Sequence, residues 1–241
     1  MMNNLKEILY KNKIKWKTLP VGEKRKKVEE LIEMSDDELI KEYNTYITLW
    51  QKERGWEYES YKDLFRNKSI LEIGSGLGYD GIVFSRYVKK WTFSDIVYEN
   101  IMFLKRITKL FKVKNIAFEY IEDIFSHNFP EYYEGLYAHG VLHHIPFDFA
   151  KKQIENIDRF LKPHSKIVCL MYPKERWEYY GCPKFVDFGK ITDGENTPWA
   201  EWYDKEKIQK LFGDNYLLLE EKKWGWKNIE FVNFVLEKKG L

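Results

Sequence analysis

The stretch Ile70-Leu71-Glu72-Ile73-Gly74-Ser75-Gly76-Leu77-Gly78-Tyr79-Asp80 places an acid and three alternate glycines directly after a short apolar run. Glycine has no side chain to hold a ligand off, so such a loop brings backbone N–H groups and a helix N-terminus close to a bound molecule. The chemistry implied is the grip of a nucleotide-like cofactor. Gly76-Leu77-Gly78-Tyr79-Asp80-Gly81 matches the dinucleotide fingerprint G-x-G-x-x-G, and Asp95 follows at about the spacing of a ribose-binding acid. A second cluster is rich in imidazole: His139, His143 and His144 are three of the five histidines. Imidazole titrates near neutrality and can take a proton from a hydroxyl or an amine. The adjacent pair predicts a base at His143 or His144 and no metal site, because neighbouring residues rarely converge on one ion and no third ligand is apparent. Cys169 and Cys182 lack zinc spacing, and Cys169 sits in an apolar run that marks it as a core residue.

These groups need elements to carry them. Strand-like runs at 69–73, 91–94, 116–121, 135–139 and 166–172 alternate with helix-like segments at 81–88, 99–111 and 147–161. That alternation predicts a parallel, helix-flanked sheet, with ligands outside the carboxyl ends of its strands. After a short helix at 205–212, the runs 216–223 and 229–237 are joined by 224–228 only, which permits an antiparallel pair. The expected fold is α/β: a doubly wound, mostly parallel seven-stranded sheet with an antiparallel last strand, plus an N-terminal helical cap. The cap is assigned to 1–66. There Leu39, Tyr43, Tyr46, Ile47 and Trp50 recur at helical spacing, and Ser35 with Glu38 has the pattern of a capping box. The sheet domain is assigned to 67–241, with a long aromatic loop at 173–203 read as a lid. Trp177, Tyr179, Trp199 and Trp202 in that loop either stack on a sugar face or pack the lid, and Asp187, Asp193 and Glu195 either bind hydroxyls or are exposed loop acids.

Hydrophobic residues make up 44% of the chain, ample for a core, and the formal net charge of +2 gives the whole chain no nucleic-acid signature. The charge is uneven: Lys6, Lys11, Lys13, Lys15, Lys17, Lys24, Arg25, Lys26 and Lys27 crowd the N-terminal segment, as a solvated helical face or a patch for phosphate-bearing substrates. No apolar N-terminal signal and no run approaching a membrane span is present, so the expected location is cytoplasmic, without membrane insertion.

Glu72-Ile73-Gly74-Ser75-Gly76-Leu77-Gly78 also resembles motif I of the class I S-adenosylmethionine-dependent methyltransferases, and the resemblance continues along 68–172. Trp91-Thr92-Phe93-Ser94-Asp95 resembles the family's second strand with its terminal acid, and Glu122-Asp123-Ile124-Phe125 the acidic turn after the third. The run from Tyr133 to Ile145 resembles the fourth strand and its loop, and Arg159-Phe160-Leu161-Lys162-Pro163 the approach to the fifth. The resemblance implies S-adenosylmethionine as cofactor. It implies that Gly74, Ser75, Gly76 and Gly78 bring the backbone to it and that Glu72 holds its amino group. Asp95, with Ile96 beside it, would accept from the ribose hydroxyls, and Asp123, with Ile124, would meet the adenine, Glu122 being the alternative acid. His139 and Gly140 would line the methionyl side. The fourth-strand loop Ala138-His139-Gly140-Val141 lacks the Asn/Asp-Pro-Pro-Tyr/Phe motif of amino-methyltransferases. The expected partner is therefore a small hydroxyl-bearing acceptor, such as a sugar or surface-glycan precursor, and not a nucleic acid. Three readings stay open beside this one: an RNA or protein methyltransferase that docks through the basic N-terminal segment, a non-catalytic binding protein on the same fold, and a dinucleotide-dependent oxidoreductase.

Overall fold

The computed structural model describes residues 2–17 and 26–240. Lys24 and Arg25 of the basic N-terminal run lie outside the described residues. In chain order the elements are α1 (Met2–Lys15), α2 (Val28–Glu33), α3 (Asp36–Phe65), β1 (Ser69–Ile73), α4 (Tyr79–Phe84), β2 (Lys90–Asp95), α5 (Tyr98–Leu110) and β3 (Ile116–Tyr120). There follow β4 (Tyr133–His139), α6 (Phe147–Asp158), β5 (Leu161–Pro173), α7 (Lys174–Tyr179), α8 (Phe185–Asp193), β6 (Trp202–Tyr203), α9 (Lys205–Phe212), β7 (Tyr216–Trp224) and β8 (Phe231–Lys238). The chain divides into two compact units, 16–122 and 1–15 with 123–241. This division does not coincide with the 66/67 boundary expected from the sequence.

In the unit 16–122, hereafter the glycine-loop unit, β1 and β3 both pair with β2 in parallel. All five residues of β1 are buried, as a strand covered on both faces requires. α3 starts where its capping box puts it. The Glu38 N–H reaches Ser35 Oγ at 3.4 Å and the Ser35 N–H reaches Glu38 Oε2 at 3.0 Å, satisfying two orphan donors. The helix breaks at Arg54 (φ −136°, ψ 21°), next to Gly55, and the kink turns Arg54 inward. The core beneath is aromatic: Phe84 stacks on Trp91 with ring centres 5.5 Å apart, and Phe65 meets both edge-on. Such pairs add about 0.5–1.5 kcal/mol each beyond their area burial. α4 is shorter than the expected 81–88 segment. It begins after Gly78 in the left-handed region and ends where Ser85 Oγ bonds back to the Ile82 carbonyl at 2.7 Å.

In the other unit, the lid unit, β4 and β5 pair in parallel, while β8 runs antiparallel to both β5 and β7. The mostly parallel α/β class with an antiparallel last strand is thus present. α6 stops at Asp158 and β5 begins at Leu161, so the expected helix end and strand start both shift. The expected long loop 173–203 is not irregular: it holds α7, α8 and β6, which pairs with the end of β5. α1 belongs here, tied by Asn12 Nδ2 to the His144 carbonyl (2.9 Å) and by Lys15 Nζ to the Asp193 carbonyl (2.7 Å). Among the described residues no helix is long and apolar enough to cross a membrane.

Candidate functional site

Gly74, Gly76 and Gly78 all have positive φ, at 62°, 51° and 68°. Gly78 is required twice over, because a Cβ there would lie 2.3 Å from Leu104 Cδ2 and 2.9 Å from Phe93 Cε1. Asp95 holds the loop from the end of β2. Its Oδ2 accepts from the Gly76 N–H at 2.8 Å and from Asn100 Nδ2 at 3.2 Å, and its Oδ1 from the Val97 N–H at 2.8 Å. Burial raises its pKa, against the pull of these donors. The Ile96 N–H adds to this pull, and together these bonds keep the carboxylate at the strand end beside the glycine loop, the place of a ribose-binding acid. Ile96 beside it is half-buried. The Ser75 hydroxyl is committed to the fold: it accepts from the Ser94 N–H at 2.9 Å and stitches the loop to β2.

Glu72 is buried at the end of β1, where its Oε2 accepts from Trp91 Nε1 at 2.7 Å. Burial, reinforced by Asp80, pushes its pKa well above the carboxylate range, while the Trp91 bond and Arg54 act in the opposite sense. Asp80 in turn accepts from Tyr58 (2.7 Å) and pairs with Arg54 (3.0 Å). Tyr43 donates to the Leu77 carbonyl at 2.7 Å. The loop is therefore backed by α3 through Tyr43, Arg54 and Tyr58. Neither Arg54 nor Tyr58 belongs to the helical pattern read in the sequence. The glycine following Arg54 inside a helical pattern was the available signal.

On the lid unit Asp123 is exposed and caps its own turn, accepting from the Phe125 N–H at 2.9 Å and the Ser126 hydroxyl at 2.6 Å; these bonds lower its pKa. Ile124 is buried and Glu122 exposed. His139 ends β4, stacked on Tyr137 with ring centres 5.6 Å apart. Gly140 (φ 71°) needs glycine for its backbone alone, since a Cβ there would meet nothing within 4 Å.

His143 and His144 occupy the 3-10 turn after β4 and are both buried, but their rings differ in role. His144 Nδ1 lies 3.0 Å from the Trp199 carbonyl oxygen, which ties the turn to the segment between α8 and β6. Neither ring nitrogen of His143 makes a close hydrogen bond, the Leu170 backbone being its one polar neighbour that favours the charged form, and the ring lies 4.1 Å from that of Tyr172. Burial lowers both pKa values, that of His143 well below 6.5, with His144 and Arg176 adding to the effect. Asp193, an open choice in the sequence, accepts from the Tyr172 hydroxyl at 2.8 Å. Glu201 went unnoticed in the sequence. Its N–H donates to the His143 carbonyl at 2.9 Å, and its carboxylate accepts from the Phe147 N–H (3.0 Å), Trp199 Nε1 (3.1 Å) and Lys207 Nζ (2.6 Å). The lid tryptophans pack: Trp177 donates to the Pro183 carbonyl and stands 5.7 Å from Trp202, whose ring carries Lys207. Tyr179 is exposed, edge-on to Trp226. Asp187 and Glu195 are exposed. Among the described residues no group of His, Cys, Asp and Glu is arranged to hold a metal ion.

No family model matches the chain, and no curated protein matches its sequence. Solved structures do resemble it. The N-methyltransferase NodS from Bradyrhizobium japonicum, in complex with S-adenosyl-L-homocysteine, superposes with a TM-score of 0.59 at 15% identity, covering 79% of this chain and 91% of that one. Magnesium protoporphyrin IX methyltransferase from Synechocystis, with the same product bound, gives 0.58 at 15% identity, covering 77% and 80%. An S-adenosylmethionine-dependent methyltransferase from Clostridium acetobutylicum gives 0.58 at 12% identity, covering 82% and 99%. The chain has the fold that these S-adenosylmethionine-dependent methyltransferases share.

Proposed function

We propose that the protein transfers a methyl group from S-adenosylmethionine to a hydroxyl of a small polar molecule, a sugar or surface-glycan precursor, in the cytoplasm, where Cys169 and Cys182 stay free thiols. The observation that carries the methyltransferase reading is the bond from the Gly76 N–H to Asp95, which fixes a three-glycine loop against a strand-end acid in a fold whose relatives bind S-adenosyl-L-homocysteine.

When bound, S-adenosylmethionine supplies an electrophilic methyl group on a cationic sulfur. Gly74, Gly76 and Gly78 would hold it by backbone, Asp95 at its ribose, and Glu72 at its amino group. On the lid unit, Asp123 with Ile124 would meet the adenine and His139 with Gly140 the methionyl side. Alignment of reacting atoms can supply up to roughly 7–11 kcal/mol, so positioning is the main task of these residues. His143 is the proton acceptor in this reading. Burial keeps its imidazole neutral and it makes no close hydrogen bond, whereas the His144 ring is tied to the Trp199 carbonyl. It lies under Tyr172, so an acceptor would have to displace that ring to reach it. The hydroxyl preference draws on the polar wall beside it, Tyr172 with Asp193.

Calorimetry tests the cofactor: the wild type should bind S-adenosylmethionine and Gly76→Arg should not. Absence of binding to the wild type would overturn the assignment. A panel of nucleotide-sugars and glycan fragments tests the acceptor, and turnover of amines or lipids alone would overturn that part only.

A further inference from the structure

Arg176, in α7, is a cation whose anion is missing. Its guanidinium carbon lies 4.3 Å from the centre of the Tyr172 ring and 5.4 Å from that of Phe231, and Nη1 donates to the Glu230 carbonyl at 2.9 Å. Every acid in its surroundings is engaged elsewhere. Glu175 pairs with Lys223 at 2.5 Å and Glu178 with Lys174 at 3.9 Å. Glu230 Oε2 accepts from the Trp226 N–H at 3.0 Å, and Asp193 accepts from the hydroxyls of Tyr172 (2.8 Å) and Thr192 (2.6 Å). Among the described residues no acid forms an ion pair with Arg176, and its Nε–Nη2 edge makes no hydrogen bond. That edge is a planar fork matched to the two oxygens of a carboxylate or phosphate. Laid on two aromatic rings the charge is partly out of water, where an anion is worth more to it than at an open surface.

The same Tyr172 ring also packs against His143, which is 1% exposed and makes no close side-chain hydrogen bond. One aromatic side chain thus carries a cation with no carboxylate on it and a buried imidazole. We infer that these two groups form one acceptor subsite, in which Arg176 takes an oxyanion of the acceptor, carboxylate or phosphate, while His143 stands at the hydroxyl to be methylated. The acceptor is then an acidic sugar or a sugar phosphate. The role of His143 rests on the methyl-transfer reading above; the oxyanion site of Arg176 does not.

The test is calorimetric titration of methyl glucuronoside, glucose 1-phosphate and neutral methyl glucoside into the wild type, Arg176→Gln and Arg176→Lys, with thermal melts on each. The wild type should bind at least one acidic probe about tenfold or more tighter than the neutral one, and whichever of the two prevails identifies carboxylate or phosphate as the group read. Arg176→Gln should lose the preference. Arg176→Lys should keep part of it, since lysine offers the charge without the fork. Equal binding of acidic and neutral probes by the wild type, binding of none, or a preference that survives in Arg176→Gln would each overturn the inference. S-adenosyl-L-homocysteine is titrated into the same samples, so that failure of the cofactor reading registers separately from failure of the oxyanion site.

Discussion

The glycine-loop unit and the lid unit are stitched over different distances along the chain. The bonds that shape the loop join near neighbours: Gly76 with Asp95 and Trp91 with Glu72 are each 19 residues apart, and Tyr58 with Asp80 22. The bonds that shape the histidine turn join remote ones: Asn12 with His144 spans 132 residues, Lys15 with Asp193 178, and His144 with Trp199 55. A function built on one strand–loop–helix and the next strand leaves a motif in the sequence. One built from a turn, an N-terminal helix and two lid helices leaves scattered polar residues whose meeting only the fold produces.

The largest expected effect contrasts two glycines with nearly equal φ, Gly78 (68°) and Gly140 (71°). Alanine at either position takes on the left-handed backbone, at about 1–2 kcal/mol. At Gly78 it also drives a methyl into Leu104 and Phe93, so Gly78→Ala should lose about 3 kcal/mol or more, while Gly140→Ala, with open space around its Cβ, should lose only the backbone cost. Urea unfolding of the two variants checks this. Equal losses would mean that the loop unit is no more tightly packed around its glycines than the lid unit.

The legibility of the sequence follows the same contrast. The bounds of β1, the capping box at Ser35 and Glu38 and the closing β7–β8 pair rest on local patterns and were readable. α8 was not, because it carries Gly189 and the β-branched Val186, Ile191 and Thr192, which propensity disfavours in a helix. The glycine is there because a Cβ would lie 2.9 Å from the Trp199 backbone, a tertiary demand with no local signature. Likewise the candidate edge after β4 is visible as three histidines, but nothing local separates His143 from His144. The carbonyl that ties the His144 ring comes from Trp199, 55 residues on.

That separation sets the next expected effect. His143→Gln should lower kcat by about 100-fold, within the range for a lost general base, and leave the affinity for S-adenosyl-L-homocysteine unchanged. His144→Gln should instead lower stability by about 1 kcal/mol, the value of the tie to Trp199, with a smaller fall in kcat. Steady-state kinetics beside thermal melts distinguish the two, and a reversed pattern would assign the base to His144. Because the His143 pKa lies well below 6.5, the acid limb of the kcat profile should also lie below that value.

The smallest effect is a matter of slope with pH, and it separates the units by sign. Glu72 has a folded pKa well above the ordinary glutamate value of 4.5, chiefly through burial. Between those two values the folded chain keeps a proton that the unfolded chain releases, so its contribution is full below 4.5 and is lost as the pH rises through the folded pKa. His143 is the converse: below 6.5 the unfolded chain takes up a proton that the folded chain refuses, so stability falls as the solution is acidified. Glutamine has nearly the shape of the Glu72 side chain, and its carbonyl can still accept from the Trp91 indole. Glu72→Gln should therefore gain about 1 kcal/mol over the wild type near about pH 8, and the gain should vanish near about pH 4, while its affinity for S-adenosylmethionine falls about tenfold. His143→Gln should gain on the acid side instead. Urea unfolding across this range reads both slopes. If the Glu72→Gln and wild-type curves stay parallel, burial does not hold that proton, and the acid behind the glycine loop is as well paired as an exposed one.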